Sequence, residues 1–180
     1  MRKIVYYVAM SLDGFISGVN GDISGFVGHG NGVAKYLADL ASYDTVIMGK
    51  NTYEFGYRFG LQPGKPAYPH MTHYIFSRSL IFDDPDPKVL VRPIRIEEIE
   101  KIKKQNGTDI YLCGGGQFAG WLLDNHQIDI LKIKLNPLLL GNGVRIFGDV
   151  SSDFKLELIE TDRYDNGLQI MTYKPEMILE

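Results

Sequence analysis

The chain has 180 residues, a hydrophobic fraction of 44%, a charged fraction of 23% and a formal net charge of −3. These values are typical of a soluble globular protein, and they argue against a broad electrostatic surface for nucleic acid. We expect a single domain over residues 1–180. One cysteine excludes an internal disulfide and fits a reducing, cytoplasmic compartment. No apolar run approaches the length of a membrane span, so no membrane contact is expected.

The first part of the chain combines a short apolar run, a glycine-rich loop and an amphipathic segment. Residues 3–9 predict a buried strand that ends in a tight turn at Asp13 and Gly14. A loop rich in glycine continues to residue 30. Asn31 is placed to cap the helix that follows. The apolar face of that helix is predicted to consist of Val33, Tyr36, Leu37 and Leu40.

Further strands and helices alternate along the rest of the chain. Buried strands are predicted at residues 45–48, 73–76, 88–91 and 110–113, and helices at residues 96–105 and after the glycines at 114–116. In residues 128–135 the apolar side chains alternate with Lys132 and Lys134, which predicts a solvent-exposed face. Asn166–Gly167 lies between two alternating stretches and predicts a β-hairpin.

This order of elements predicts an α/β fold. Alternating strands and helices favour a mostly parallel sheet with helices on both faces. The last two strands add a C-terminal antiparallel hairpin. In such sheets, ligands bind outside the carboxyl ends of the strands.

Three features with anion-binding chemistry follow predicted strands directly. They are Gly49-Lys50-Asn51-Thr52, Ser77-Arg78 and Gly114-Gly115-Gly116-Gln117. Open backbone donors at a helix start, hydroxyls and cations are the groups that bind phosphate. Together these features predict a dinucleotide with two or three phosphate groups. A cation at Arg78 beside a hydroxyl favours NADP over NAD.

The glycine triplet has a second interpretation. Gly114 and Gly116 supply the first two positions of a Gly-x-Gly-x-x-Gly spacing, but Ala119 stands at the third, so the dinucleotide fingerprint is incomplete. Taken alone, three glycines after a strand are equally explained by a tight crossover into a helix. The phosphate interpretation depends on the other two strand ends.

Four motifs in the expected order resemble the reductase domain of riboflavin biosynthesis, the RibD C-terminal domain. They are residues 8–16, 48–54, 113–116 and 139–147, and the resemblance covers nearly the whole chain. It implies a dihydrofolate-reductase-like three-layer fold, NADPH as hydride donor, a small-molecule substrate and a homodimer. The chain is most similar to the stand-alone bacterial members of this group.

The resemblance also implies roles for individual residues. Ser11 and Asp13 would border the substrate, and Val8 and Ala9 would lie along the nicotinamide. The ribose phosphate would contact Ser77 and Arg78. The pyrophosphate would be held by Gly49, Lys50, Asn51, Thr52, Gly114, Gly115, Gly116 and Gln117.

Two departures from related enzymes matter for the substrate. True dihydrofolate reductases carry a carboxylate on the first helix, but residues 32–38 contain no acid, and Asp39 is expected on a different face. The riboflavin-pathway enzyme is usually fused to a deaminase with a His/Cys zinc site. With one cysteine and no such domain, deamination is excluded.

Several side chains are candidates for chemistry, and each has a structural alternative. Asp13 is the best-placed carboxylate for protonating a C=N or C=O group, with Ser11 as hydrogen-bond partner; both could instead stabilise the turn. His29 and Tyr36 could face the pocket. His70 and His73 have ligand-like spacing but lack acidic companions, so no metal is expected. Cys113 is interpreted as a buried strand-end residue rather than a nucleophile.

The sequence therefore predicts an NADPH-dependent reductase of a small heterocyclic substrate of the aminopyrimidine or pterin type. Hydride transfer needs two planar groups held close with water excluded, so most of the catalysis is positioning. Two alternatives remain open at this level. One is a non-catalytic nucleotide-binding protein of the same fold, and the other is a divergent dihydrofolate reductase with a relocated acid.

Overall fold

The computed structural model describes residues 1–178. Ten strands and four α-helices are formed in this part of the chain. In chain order they are β1 (Ile4–Ser11), β2 (Phe15–Ser17), α1 (Asn31–Leu40), β3 (Thr45–Gly49), α2 (Lys50–Phe55), β4 (Thr72–Phe76), β5 (Val89–Arg92), α3 (Ile96–Lys103), β6 (Ile110–Gly114), α4 (Gly116–Asp124), β7 (Ile130–Asn136), β8 (Val144–Arg145), β9 (Phe154–Arg163) and β10 (Gln169–Met177).

Eight of the strands form one sheet in the order β5-β4-β3-β6-β1-β7-β10-β9. The six strands from β5 to β7 are parallel, whereas β10 pairs antiparallel with both β7 and β9. The predicted mostly parallel sheet with a C-terminal antiparallel hairpin is thus confirmed. β2 and β8 form a separate two-stranded pair that the sequence did not predict.

Helices cover both faces of the sheet because the central strands are apolar on both sides. On one face, α3 and α4 pack on a core that includes Tyr6, Val8 and Leu112. On the other face, α1 and α2 pack on a core that includes Tyr7 and Tyr111. Neighbouring residues of one strand therefore serve opposite cores, which explains the unbroken apolar runs of β1, β3 and β6. In residues 1–178, no helix is long and apolar enough to cross a membrane.

Helix α1 differs from its prediction in two ways. Gly30 is the residue before its first turn, and Asn31 is already helical, so the prediction of an Asn31 cap is wrong. The Asn31 side chain instead accepts a hydrogen bond from the backbone N–H of Asp165 in the hairpin turn, at 2.9 Å. Leu37 was expected on the packed face but is 59% exposed. The helix turns Tyr36 and Leu40 towards the sheet instead.

Strand β7 contradicts the prediction of a solvent-exposed face. Lys134 is only 8% exposed, and it pairs with Ala9 of β1 and Ile170 of β10. Because Ile170 lies in the core beneath α1, the lysine-bearing face of β7 is covered by that helix. The alternation in the sequence correctly marked a strand, but the covering helix is a tertiary feature.

The hairpin turn has the geometry that Asn-Gly favours. Asn166 and Gly167 have φ values of 63° and 75°, and the N–H of Tyr164 donates to the carbonyl of Leu168 at 2.9 Å. Both residues tolerate this left-handed region, so the local sequence determines the turn.

Candidate functional site

The carboxyl ends of five parallel strands lie side by side. The sheet order places the ends of β4, β3, β6, β1 and β7 next to one another along one edge. The three predicted anion-binding features follow β4, β3 and β6. We call the part formed by Gly49–Thr52, Ser77–Arg78 and Gly114–Gln117 the glycine half. The neighbouring part, formed by Ala9, Tyr36, Tyr68, Tyr111 and Cys113, is the tyrosine half.

The turn after β3 leads directly into α2. Gly49 is extended, with φ −78° and ψ 162°, and no side chain caps the helix start. The first N–H groups of α2 therefore keep their capacity to bind an external acceptor. Lys50 is half-buried, and its Nζ lies 3.8 Å from Glu54 Oε1, a loose pair on a partly exposed surface. Lys50 is thus available to an anion at this turn.

The turn after β6 contacts the turn after β3. Gly114 and Gly115 have φ values of 132° and 96°, which L-residues with side chains rarely adopt. A Cβ on Gly115 would lie 2.7 Å from Thr52 Oγ1. The Thr52 hydroxyl therefore occupies the space that Gly115 leaves. Since Gly115 also precedes α4 without a side-chain cap, two helix starts and a hydroxyl converge here.

Gly116 has a role that the sequence did not reveal. A Cβ there would lie 2.1 Å from the carbonyl oxygen of Arg145, and one on Gly120 would lie 2.1 Å from that of Phe147. The segment after β8 thus packs directly on the backbone of α4. The missing side chain of Gly116 serves this contact between chain segments. The Gly-x-x-x-Gly spacing at 116 and 120 was the available signal.

At the end of β4, the Ser77 hydroxyl organises its own turn. It accepts hydrogen bonds from the N–H groups of Ser79 and Leu80 at 3.1 and 3.0 Å. Ser77 is buried, whereas the neighbouring Arg78 is exposed. Ser77 therefore fixes the backbone, and Arg78 supplies an exposed positive charge at this end of the glycine half.

Ser11 and Asp13 form a closed hydrogen-bonded unit at the end of β1. The Ser11 hydroxyl donates to Asp13 at 2.6 Å, and Asp13 also accepts from the N–H groups of Leu140 and Gly141 at 3.1 and 2.7 Å. The hydroxyl and the two N–H groups lower the pKa of the exposed Asp13 carboxyl to about 2. A carboxyl that is ionised at all physiological pH values is a poor proton donor. The geometry favours the turn-stabilising alternative for both residues.

Val8 and Ala9 point to opposite sides of the sheet. Val8 belongs to the core beneath α3 and α4, so its side chain points away from the tyrosine half. Ala9 is partly exposed and alternates with Tyr7 towards α1. Only the side chain of Ala9 can therefore line the tyrosine half, where its small size leaves room.

The tyrosine half is a hydrogen-bonded aromatic cluster. The hydroxyls of Tyr36 and Tyr111 are 2.8 Å apart, and the Tyr68 hydroxyl lies 3.6 Å from Cys113 Sγ. The rings of Tyr68 and Tyr111 pack edge to face with centroids 5.7 Å apart. Burial raises the pKa of Tyr36, Tyr111 and Cys113, so all three stay protonated at neutral pH. A protonated thiol agrees with the structural interpretation of Cys113.

Asp39 is held away from this cluster by a network of its own. Its carboxylate pairs with Lys35 and with Lys132, the latter at 3.2 Å, and accepts a hydrogen bond from Tyr7 at 3.2 Å. Burial opposes ionisation, but the two lysines hold the pKa of Asp39 below its usual value. The single acid of α1 is therefore committed to structural contacts.

The histidines are structural or exposed. His73 is fully buried; its Nε2 accepts a hydrogen bond from the N–H of Tyr68 and its Nδ1 lies 3.1 Å from the Met71 carbonyl oxygen. His29 is exposed. In the described part of the chain, no group of three or more His, Cys, Asp or Glu side chains could hold a metal ion.

Two surface clefts lie outside both halves. One of about 460 Å³ is lined by residues such as Arg2 and Gly107, which precede β1 and β6 at the opposite edge of the sheet. The other, of about 430 Å³, lies between β5 and α3 beside Arg92. Neither contains a predicted site residue. The carboxyl ends of the strands are the better candidate because converging helix starts and a polar aromatic cluster lie there.

Known proteins with the same architecture match nearly the whole chain. The uncharacterized Bacillus subtilis protein YwjB is 28% identical over 175 residues, covering 94% of this chain and 96% of its own length. A proposed riboflavin biosynthesis protein from Shewanella sp. PV-4 superposes with a TM-score of 0.80 and 24% identity, covering 98% of this chain and 99% of its own.

Two further solved structures share the fold. One is a diaminohydroxyphosphoribosylaminopyrimidine deaminase/5-amino-6-(5-phosphoribosylamino)uracil reductase from Thermotoga maritima, with a TM-score of 0.72, 15% identity, and coverage of 97% of this chain and 56% of that one. The other is dihydrofolate reductase from Enterococcus faecalis complexed with NADP(H) and RAB-propyl, with a TM-score of 0.68, 18% identity and 96% coverage of both chains. These structures confirm the dihydrofolate-reductase-like fold. The model of the RibD C-terminal domain matches residues 2–170, and the chain belongs to that family.

Proposed function

We propose that this protein is an NADPH-dependent reductase of a small planar heterocycle of the aminopyrimidine or pterin type. The observation that carries the proposal is the convergence of two uncapped helix starts beside the end of β1. Membership of the RibD C-terminal domain family supports a reductase. The fold is shared with an enzyme whose structure contains NADP(H).

The glycine half fits the anionic part of a dinucleotide. Its backbone donors lie at the starts of α2 and α4, where the helix dipole favours negative charge. The Thr52 hydroxyl lies against Gly115, so it could add a hydrogen bond to an acceptor held by these backbone donors. Lys50 would neutralise the pyrophosphate, and Arg78 would pair with a ribose phosphate. The set of donors therefore suits NADP in charge and chemistry.

When bound, the nicotinamide would supply a hydride to the substrate. The chain itself would position the reacting partners and exclude water. Ala9 gives a flat floor at the end of β1, and the rings of Tyr36 and Tyr68 give apolar walls with hydroxyl edges. Ser11 and Asp13 would then hold the loop at residues 138–141 beside the site.

A divergent dihydrofolate reductase is disfavoured, because Asp39 is bound to Lys35, Lys132 and Tyr7. The non-catalytic alternative gains support from the same absence of a free carboxylate among the described residues of α1. Turnover separates it from the proposal. The first substrate to assay is 5-amino-6-(5-phosphoribosylamino)uracil, the compound in the name of the Thermotoga maritima enzyme. The assay measures the oxidation of NADPH in its presence.

Cofactor preference tests the proposal directly. We expect NADPH to raise the Tm of the wild type more than NADH does. Arg78→Met is expected to weaken NADPH binding by about tenfold and to leave NADH binding unchanged, because only the extra phosphate needs the cation. Lys155→Met, an exposed lysine on the edge strand β9 at the far side of the sheet, is the matched control. If neither cofactor shifts the Tm, the proposed function fails.

A further inference from the structure

Strand β7 places two lysines beneath α1 in different surroundings. Lys132 lies 3.2 Å from Asp39, and its Nζ lies 4.8 Å from the centroid of the Tyr7 ring. Lys134 is two residues nearer the carboxyl end of the strand, on the same face. Its Nζ lies 4.3 Å from the centroid of the Tyr36 ring. The two side chains have equal charge and neighbouring positions, but only Lys132 has a carboxylate partner.

The amine of Lys134 lacks an acceptor within the protein. In residues 1–178 its side chain forms neither an ion pair nor a hydrogen bond, although the residue is only 8% exposed. The same part of the chain contains no fully buried side-chain nitrogen or oxygen without a hydrogen-bond partner. The Nζ therefore keeps contact with the space outside the protein. A largely desolvated cation with one open direction is stabilised by an acceptor arriving from that direction.

The Lys134 amine lies against the tyrosine half. Lys134 pairs with Ala9 across β1, and the next pair towards the carboxyl end joins Ser11 to Asn136. Tyr36 contacts the Lys134 amine on one side and the Tyr111 hydroxyl on another. The Lys134 amine thus lies over the Tyr36 ring, at the edge of the aromatic cluster, on a strand whose neighbour carries the small side chain of Ala9. If a planar ring were bound between Ala9 and Tyr36, the edge of that ring would face the Lys134 amine.

We propose that Lys134 contacts the substrate and selects a planar heterocycle that carries a ring carbonyl oxygen at this edge, in preference to one that carries an amino group. An ammonium group only donates hydrogen bonds, so it binds a carbonyl oxygen and repels a competing donor. The inference rests on the proposed function for the substrate being a planar heterocycle. It adds the chemical group that the site selects and the residue that selects it.

The test compares two pteridines that differ in these groups. Lumazine carries two ring carbonyls, and the corresponding diaminopteridine carries two amino groups. Binding of each is titrated by fluorescence, with and without NADP. We expect the wild type to bind lumazine at least about tenfold more tightly than the diaminopteridine. Lys134→Met keeps the length of the side chain and removes the charge, so it is expected to abolish this preference by weakening lumazine alone.

Two further variants separate recognition from a structural effect. Lys134→Arg keeps a donor at the same place and is expected to restore part of the preference. Lys132→Met removes the neighbouring lysine on the same face, so it is expected to lower the Tm without changing the ratio of the two affinities. Equal weakening of both pteridines by Lys134→Met, or an unchanged ratio, overturns the inference.

The inference and the proposed function fail in distinguishable ways. If NADPH causes no rise in Tm, the proposed function is contradicted. The ratio of the affinities for lumazine and the diaminopteridine, measured without cofactor, still tests the role of Lys134. Tighter binding of the diaminopteridine, or no lumazine binding by the wild type under either condition, rejects the role of Lys134 even if NADPH binds.

Discussion

The glycine half and the tyrosine half lie at neighbouring strand ends of one sheet and are built differently. In the glycine half, Gly114 and Gly115 have left-handed backbone angles, and Gly116 contacts a carbonyl of another segment. In the tyrosine half, side chains from α1, β1, β6 and the loop before β4 form the surface. The first half is shaped by missing side chains and the second by large ones. Adding a side chain in the first half should therefore lower stability through steric overlap, whereas changes in the second half should act through charge and hydrogen bonds.

The largest expected effect comes from filling the contact at Gly116. Gly116→Ala places a Cβ 2.1 Å from the carbonyl oxygen of Arg145, and no rotamer change can relieve a contact between two backbones. We expect a loss of roughly 3 kcal/mol in the free energy of unfolding, measured by denaturant titration. Gly28→Ala is the control, because an added Cβ there meets no atom within 4 Å. Equal stability of the two variants would contradict the packing role of Gly116.

A smaller effect is expected in the tyrosine half on acidification. Burial lowers the pKa of His73 from 6.5 to about 4. The unfolded chain then binds more protons than the folded chain between these values. The stabilising contribution is complete above pH 6.5 and is lost as the pH falls towards 4, with a slope approaching about 1.4 kcal/mol per pH unit. Urea unfolding of the wild type at several pH values in this range measures the slope.

The structural reason links His73 to the tyrosine half. If Nε2 were protonated, its N–H would face the backbone N–H of Tyr68, so two donors would repel each other. The imidazole also stacks on the Tyr68 ring, with the ring centroids 5.9 Å apart. His73→Gln removes the titrating group and keeps an acceptor, so its stability is expected to be flatter between pH 6.5 and 4. An identical pH dependence in variant and wild type would show that another group titrates.

The smallest effect is expected at Asp13, in the turn after β1. Asp13→Asn removes the charge that holds the N–H groups of Leu140 and Gly141, so a small fall in Tm is expected. NADPH affinity should be unchanged, and any turnover should persist, because the carboxylate is ionised and committed to the loop. Asp84→Asn, in an exposed turn, is the control. Loss of turnover without a change in NADPH binding would restore Asp13 as a catalytic group.

The glycine half was the more predictable of the two from the sequence. Its strand ends were located by apolar runs followed by glycine, and the parallel sheet then brought Gly49–Thr52 and Gly114–Gln117 together. The contact of Gly116 with Arg145 was missed because it joins residues from distant parts of the chain. The cofactor roles of these residues stay predictions.

In the tyrosine half, local patterns were less informative. The sequence raised Tyr36 as a candidate but did not single out Tyr68 or Lys134. Asn31 was predicted to be the cap of α1, but Gly30 is the cap and Asn31 is the first helical residue. Leu37 was predicted to be packed but faces solvent. The exposure of Leu37 follows from the rotation of α1 over the sheet, which decides which of its faces is covered.

By itself, the sequence determined the eight strands of the main sheet, the helices α1, α3 and α4, the hairpin turn and the glycine turns. These depend on side-chain periodicity and on backbone angles, which are properties of neighbouring residues. Only the tertiary structure decided that Asp13 holds a loop, that Asp39 is paired and that Lys134 is covered by α1 without a carboxylate partner among residues 1–178. Burial and pairing depend on segments far apart in the chain, so the same alternation of isoleucine and lysine is compatible with a solvated face or a binding site.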